Sequence, residues 1–191
     1  MKGCLIAGTW DPDGGSTAQW LARGMQAYWQ HFRPPQALHI LTIPARGGDW
    51  ATLWQTYSQQ VSGGADPVLL LYPGSLGDGL TPHTTVADLA RDWRSPLILT
   101  LPLGRQMVSQ AVAFAALVRH SQAHLVGFVV FEVEETPFEE AMDLEKMASQ
   151  VETLTQTPLL GCLRIPHLAE GAVANADLAR WATDLNWERL G

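Results

Sequence analysis

The sequence predicts an α/β protein: one three-layer domain, with a mostly parallel sheet covered by helices on both faces. Three observations carry this reading. Six short apolar runs, each the length of a buried strand, alternate with six stretches whose apolar residues recur at helical spacing. Proline and glycine punctuate the joints, as in "RPP", "SGGADP", "YPGSLGDG" and "QTPLLG". No internal repeat, low-complexity segment or linker interrupts the alternation, so residues 1–191 read as a single domain.

The first strand, 3–8, runs into the Gly-rich turn "GTWDPDGGST" and a helix over 17–31. The second, 38–43, ends in "PARGGD" and a short helix over 49–61, and the third, 67–72, ends in "YPGSLGDG" and a helix over 84–93. The fourth strand, 96–102, precedes a helix over 106–121, in which "MVSQAVAFAALVRH" carries apolar residues at helical spacing. The fifth and sixth, 125–131 and 158–163, are followed by helices over 139–154 and 174–186. In a parallel sheet, ligands bind outside the carboxyl ends of the strands. The first three strands end there in Gly-rich turns, each able to bring backbone N–H groups close to an anion.

Composition narrows the class. At 191 residues and 47% apolar, the chain can bury a sizeable core. No stretch approaches the roughly 18 to 20 apolar residues of a membrane span. Residues 1–9 lack the charged start and long apolar core of a signal peptide, so a cytoplasmic location is expected. Cys4 and Cys162 fall in predicted buried strands and read as core thiols. The net charge of −7 is concentrated in "EVEETPFEEAMDLE", residues 132–145, which hold seven acids and no base. The other twelve acids match the twelve bases, leaving no basic face for nucleic acid. The acidic stretch reads as the solvated face of a loop and helix, or alternatively as a docking surface for a basic partner. Ten of the bases are arginines; the only lysines are Lys2 and Lys146.

Several side-chain types carry no chemistry of their own. Histidines 31, 39, 83, 120, 124 and 167 show no metal-ligand spacing, so no metal site is expected. Ser75 in "YPGSLG" is not a nucleophile elbow, because Pro73 stands where that motif needs glycine. Of the eight tryptophans, Trp20 and Trp29 lie nine residues apart and should face opposite sides of their helix, exposing one of them. Trp50 and Trp54 share a helix face, and Trp10 stands inside the first turn. Exposed tryptophans mark interfaces, so Trp10, Trp50 and Trp54 are candidate interface residues.

Taken together, the turns resemble dethiobiotin synthetase, an ATP-dependent ligase family with a P-loop NTPase type of fold. Gly8-Thr9-Trp10-Asp11-Pro12-Asp13-Gly14-Gly15-Ser16 has the form of that family's G-T-x-x-x-x-G-K-[ST] loop. "PARGG" sits where the family has Lys-Pro-x-x-[ST]-Gly, and "YPGSLGDGLTPHTTVADLARDW" resembles its Glu-Gly-Ala-Gly turn and the segment after that turn. "SQAVAFAALVRHSQAHLVGFVVFEV…QTPLLGCLRIPHL" is similar in order and spacing to the second half of these enzymes.

The resemblance implies chemistry that the residues do not supply. Gly15 replaces the loop lysine that reaches the β- and γ-phosphates, and Ile43 the second-strand lysine that stabilises the transferring phosphoryl. Tyr72 replaces a magnesium-binding glutamate, and Phe131 an asparagine that reads the base. The chain is also shorter than the family after "PARGG", where a substrate- and dimer-forming stretch reduces to the helix over 49–61. Phosphoryl transfer in such sites depends on positioning and charge stabilisation, so these losses are serious. Asp11 and Asp13 leave the loop acidic, and Arg46 and Arg105 are poor stand-ins for a compact ammonium.

The resulting expectation is a dethiobiotin-synthetase-like protein that has lost ligase activity and acts as a binding or structural partner, to another protein or in a homodimer. No catalytic residue, metal or cofactor is then expected. Thr9, Asp11, Asp13, Gly14, Gly15, Ser16 and Thr17 would be a weak, vestigial nucleotide site, or a turn that caps the following helix through Asp13 or Ser16. The alternatives are a divergent dethiobiotin synthetase, closing a ring on a diaminononanoate with ATP, Mg²⁺ and CO₂, and a non-hydrolysing nucleotide-binding regulator.

Overall fold

The computed structural model describes residues 3–8, 16–35, 37–44, 48–63, 66–132, 144–164 and 174–190, without the side chains of Ser16, Arg189 and Leu190. Its strands are β1 (Gly3–Gly8), β2 (His39–Thr42), β3 (Val68–Ser75), β4 (Gly79–Thr81), β5 (Thr84–Thr85), β6 (Leu97–Pro102), β7 (Leu125–Glu132) and β8 (Leu159–Arg164). Its helices are α1 (Ser16–Phe32), α2 (Trp50–Gly63), α3 (Val86–Asp92), α4 (Met107–Ser121), α5 (Leu144–Thr155) and α6 (Asn175–Trp181). No helix among the described residues is long and apolar enough to cross a membrane.

Six strands form one parallel sheet in the order β2-β3-β1-β6-β7-β8. Its apolar runs are continuous because alternate side chains enter two different cores. Leu5, Leu70, Leu99 and Val130 pack under α2, α3, α4 and α5, against Tyr57, Val86, Ala111 and Val151. Cys4, Ile6, Leu69, Ile98 and Val129 pack on the opposite face under α1 and α6, against Leu21, Met25 and Leu178. This is the expected α/β architecture with helices on both faces. The two cysteines occupy strand positions as expected. Burial pushes the Cys4 thiol up to about 12 and that of half-buried Cys162 to about 11.

Local chemistry sets the boundaries that differ. The helix expected from residue 84 begins at Val86, because Thr85 forms a capping box: its Oγ1 accepts from Asp88 N (3.3 Å) while its own N–H donates to Asp88 Oδ2 (2.8 Å). Residues 79–85 form a hairpin, β4–β5, of three and two residues, too short for periodicity to register. The helix expected over 174–186 stops at Trp181 and continues as two 3-10 turns, Ala182–Asp184 and Trp187–Leu190. That break lets Trp187 fold back onto α1, stacked on Tyr28 with centroids 4.0 Å apart. It also corrects the expectation for α1: Trp20 is buried, and Trp29 on the far side is half-buried against Trp187 rather than exposed. Residues 139–143 of the fifth expected helix, and most of the acidic stretch, lie outside the described residues.

The α1–α6 crossing depends on one glycine. Trp181 donates its Nε1–H to Arg164 O at 2.6 Å, which fixes the indole over Gly24. A Cβ at Gly24 would lie 2.7 Å from Trp181 Cε3. Gly24→Ala should therefore lower stability in urea by about 1 kcal/mol or more, overpacking outweighing the gain in helix propensity. A more stable variant would show that Trp181 moves freely.

Candidate functional site

The carboxyl edge of the sheet is where β1, β2 and β3 lead into the three Gly-rich stretches. Gly8 ends β1 there, and α1 begins at Ser16, so a strand precedes and a helix follows the Gly-rich stretch. Thr9, Trp10, Asp11, Asp13, Gly14 and Gly15 lie outside the described residues, as do the side chain of Ser16 and the whole of Arg46. Thr17 is described: it is 7% exposed, and its Oγ1 lies 2.9 Å from Thr100 Oγ1 on β6. This bond ties the start of α1 across to the strand beside β1. Strand order reverses around β1, between β3 and β6, and crevices of this kind open at such switch points.

The third turn closes into a corner. β1 and β3 pair in step up to Ile6–Leu71, then slip so that Gly8 faces Ser75. Pro73, which has no N–H to give the ladder, lies within the slip. Asp78 holds the corner: its Oδ2 accepts from Tyr72 Oη (3.0 Å) and from Ser75 N (2.9 Å). Its carbonyl accepts from Val86 N (3.1 Å), and Leu76 N donates to Gly8 O (3.1 Å). Gly74 is required here, since a Cβ would strike both the Asp78 carboxylate and the Tyr72 ring. Tyr72 itself is 2% exposed.

The other positions tied to the family's chemistry face inward. Ile43 is fully buried in the core under α2 and α3, and its N–H donates to Leu71 O at 2.8 Å. Phe131 is fully buried in the opposite core, 5.9 Å from the Trp181 ring. Arg105 is exposed in the loop after β6. At the ends of β7 and β8, Arg164 forks onto Glu132, with Nε–Oε2 at 3.1 Å and Nη2–Oε1 at 2.7 Å. The Glu132 carboxylate, by hydrogen bond and charge, holds the guanidinium pKa above its usual value. Sequence reasoning missed this pair, which only the β7–β8 register reveals. It also missed Asp78, whose one sequence signal is an acid placed just after a Gly-rich turn.

The tryptophans divide. Trp50 lines a small hollow with Leu80, Thr84 and Leu89 beside the hairpin. Trp54 is 43% exposed and leans on Trp93 and Tyr57, with centroids 5.2 and 6.0 Å away. They sit at i and i+4 on α2 but border different hollows. Asp49 begins that helix, accepting from Thr52 N and Oγ1, bonds that lower its carboxyl pKa.

Sheet order, two-sided helix cover and a helix that follows β1 define an α/β protein of the P-loop NTPase type. The family described as an AAA domain matches residues 45–171, and the chain belongs to that family. Within it the chain is dethiobiotin-synthetase-like. It is 36% identical over 143 residues to the ATP-dependent dethiobiotin synthetase BioD of Gloeobacter violaceus, an alignment covering 75% of this chain and 60% of that protein. The enzyme of the same name from Synechocystis sp. is 33% identical over 127 residues, 66% of this chain and 52% of that protein. The chain thus spans between half and two thirds of the length of these relatives. The MinD cell division protein of Aquifex aeolicus shares the fold with a TM-score of 0.52 at 7% identity, covering 94% of this chain and 86% of that one.

Relatives of this kind use ATP, yet the residues present do not fit a magnesium nucleotide held in the way the resemblance implies. Gly15 offers no cation, Ile43 is sealed in the core, and the Tyr72 hydroxyl is engaged by Asp78. The corner's bonding is testable by chemical denaturation. Tyr72→Phe should cost about 0.5–1.5 kcal/mol, and Asp78→Ala about 1–3, since it removes the acceptor of both the Tyr72 hydroxyl and the Ser75 N–H. Equal and negligible losses would show that the corner is held by something else.

Proposed function

We propose that the chain is a single-domain, cytoplasmic, dethiobiotin-synthetase-like protein that does not run the ATP-dependent ring closure and serves as a binding or structural partner, in a homodimer or with another protein. The observation that carries this is Ile43. A catalytic ammonium at the end of the second strand would have to point into the crevice, whereas this side chain is fully buried among apolar neighbours. The closed Tyr72–Asp78 corner adds to it, because the hydroxyl standing where the resemblance implies a magnesium-binding glutamate donates to Asp78. In this reading Thr9, Asp11, Asp13, Gly14, Gly15, Ser16 and Thr17 form a vestigial loop with weak anion affinity at most, and no cofactor is held.

A second reading has its own support. The Gloeobacter and Synechocystis relatives are both named ATP-dependent dethiobiotin synthetases, which favours a divergent ligase using backbone N–H groups and Mg²⁺ in place of lysine. Melting with and without MgATP separates the two. Occupancy at 100 times a dissociation constant stabilises a fold by about 2.7 kcal/mol, a readily seen rise in Tm. The expected result at about 1 mM MgATP is no rise, and no dethiobiotin formed when a diaminononanoate and CO₂ are supplied. A clear rise with product would establish the ligase.

Reintroducing the lysines is not symmetrical. Gly15→Lys should be tolerated in a turn and should raise MgATP affinity if the loop keeps its shape. Ile43→Lys places an ammonium in an apolar core and should lower stability by several kcal/mol, measured in urea. A stable Ile43→Lys variant would mean that the side chain can swing into the crevice, and would weaken the proposal.

A further inference from the structure

A cavity of about 420 Å³ lies at the opposite end of the sheet from the Gly-rich turns. Gly3 and Pro96, at the amino ends of β1 and β6, form part of its lining, with Trp54, Tyr57, Trp93 and Arg94. We propose that it is a binding site for a planar aromatic anion: a small molecule with a flat, roughly bicyclic ring system and one carboxylate or sulfonate. The inference does not depend on whether the nucleotide edge is active.

The rings form a built surface. Tyr57 stacks on Trp93 with centroids 5.4 Å apart and planes 19° apart, and Trp54 leans on Trp93 at 5.2 Å and 48°. The Tyr57 hydroxyl is 2.7 Å from Ser95 Oγ in a buried bond, which locks the ring in place. Gly3 makes room for it, because a Cβ there would collide with the Tyr57 hydroxyl. The aromatic surface is therefore set before any ligand arrives, which lowers the entropic cost of binding. Trp54 leaves much of its ring to solvent, available to stack. The volume lies within the usual range of small-molecule sites, roughly 300–1,000 Å³.

The charge comes from Arg94. It ends α3 in the left-handed region, with φ of 50°, its N–H donating to Arg91 O at 3.0 Å. Glycine is the usual residue at such a helix end, because it alone adopts that conformation without strain. The same conformation follows α4 at Gln122 and α5 at Gln156, so it is a recurrent helix end in this chain, and at position 94 it carries an exposed arginine. No carboxylate among the described residues pairs with its guanidinium. The cation–π contacts of the helix α1 region use other arginines, Arg23 over Trp20 and Arg33 over Trp29. A planar cation at the rim of an aromatic cavity selects a ligand that offers a ring to the tryptophans and an anion to the fork.

Isothermal titration with 1-naphthoate tests this, with naphthalen-1-ylmethanol as the neutral analogue and cyclohexanecarboxylate as the non-aromatic one. The expected result is saturable naphthoate binding below about 1 mM. Affinity should be weaker by about tenfold for either analogue, and for the variants Arg94→Gly and Trp54→Ala, the loss of a charge-assisted or stacking contact. Glycine fits the φ at position 94, so Arg94→Gly keeps the fold, which thermal unfolding verifies. Absence of saturable binding overturns the proposal. So does equal affinity for the neutral alcohol, or unchanged affinity in Arg94→Gly.

Discussion

The geometry of the carboxyl edge depends on how β1 runs between β3 and β6. β1 keeps step with β3 as far as Ile6 and then slips, so that Gly8 meets Ser75. That slip sets the fold of "YPGS", the placement of Asp78 under Tyr72 and Ser75, and the seat of Leu76 on Gly8 O. On its other side β1 stays in step with β6 through Gly8–Thr100, which brings Thr100 beneath Thr17 at the start of α1. The crevice is thus bounded by two polar locks, one on each flank of a single buried strand. The Thr17–Thr100 lock is buried, where an unmade bond is expensive, and the Asp78 lock is part-buried.

Two-sided burial couples chemistry to packing. In a sheet covered on both faces, a residue at a strand end points to one core, to the other, or out to the crevice, and a change of type at such a position alters the core as well as the site. Ile43 and Phe131 illustrate this, each closing the end of a different core. Their apolar side chains extend the buried surface where the resemblance implies polar groups. In the proposed function, loss of catalytic groups and gain of core are the same substitutions seen from two sides. A reversion that restores a catalytic group therefore also removes a packing group.

Sequence periodicity made the architecture legible because the strands are buried on both faces. Leu5 to Ala7 or Leu97 to Leu101 can only be core, whatever the helices do. The features that escaped were local or required long-range register. The hairpin at 79–85 has two- and three-residue strands, shorter than any periodic window, and Thr85 serves it and the helix cap together. Helical spacing alone would expose one of Trp20 and Trp29, yet both pack against the same core. Trp187, 158 positions beyond Trp29, returns to cover the far side. The Glu132–Arg164 fork has no sequence signal, as neither residue lies in a motif and only β7–β8 pairing brings them together.

The tryptophans of α2 show how neighbours in sequence come to border different parts of the fold. The number of tryptophans pointed to surface aromatic chemistry, and Trp54 is indeed exposed. Proximity in sequence to "PARGGD" suggested the ligand edge. Helix α2, however, crosses the sheet from the carboxyl ends to the amino ends, and each turn carries a side chain about 5.4 Å along it. Trp50 stays beside the hairpin, while Trp54, one turn later, joins Trp93 and Tyr57 in the lining shared with Gly3 and Pro96. That lining holds aromatic faces fixed by a buried hydroxyl pair and an arginine that no carboxylate among the described residues pairs. The aromatic hollow and the edge that the resemblance ties to nucleotide thus lie at opposite ends of the same strands.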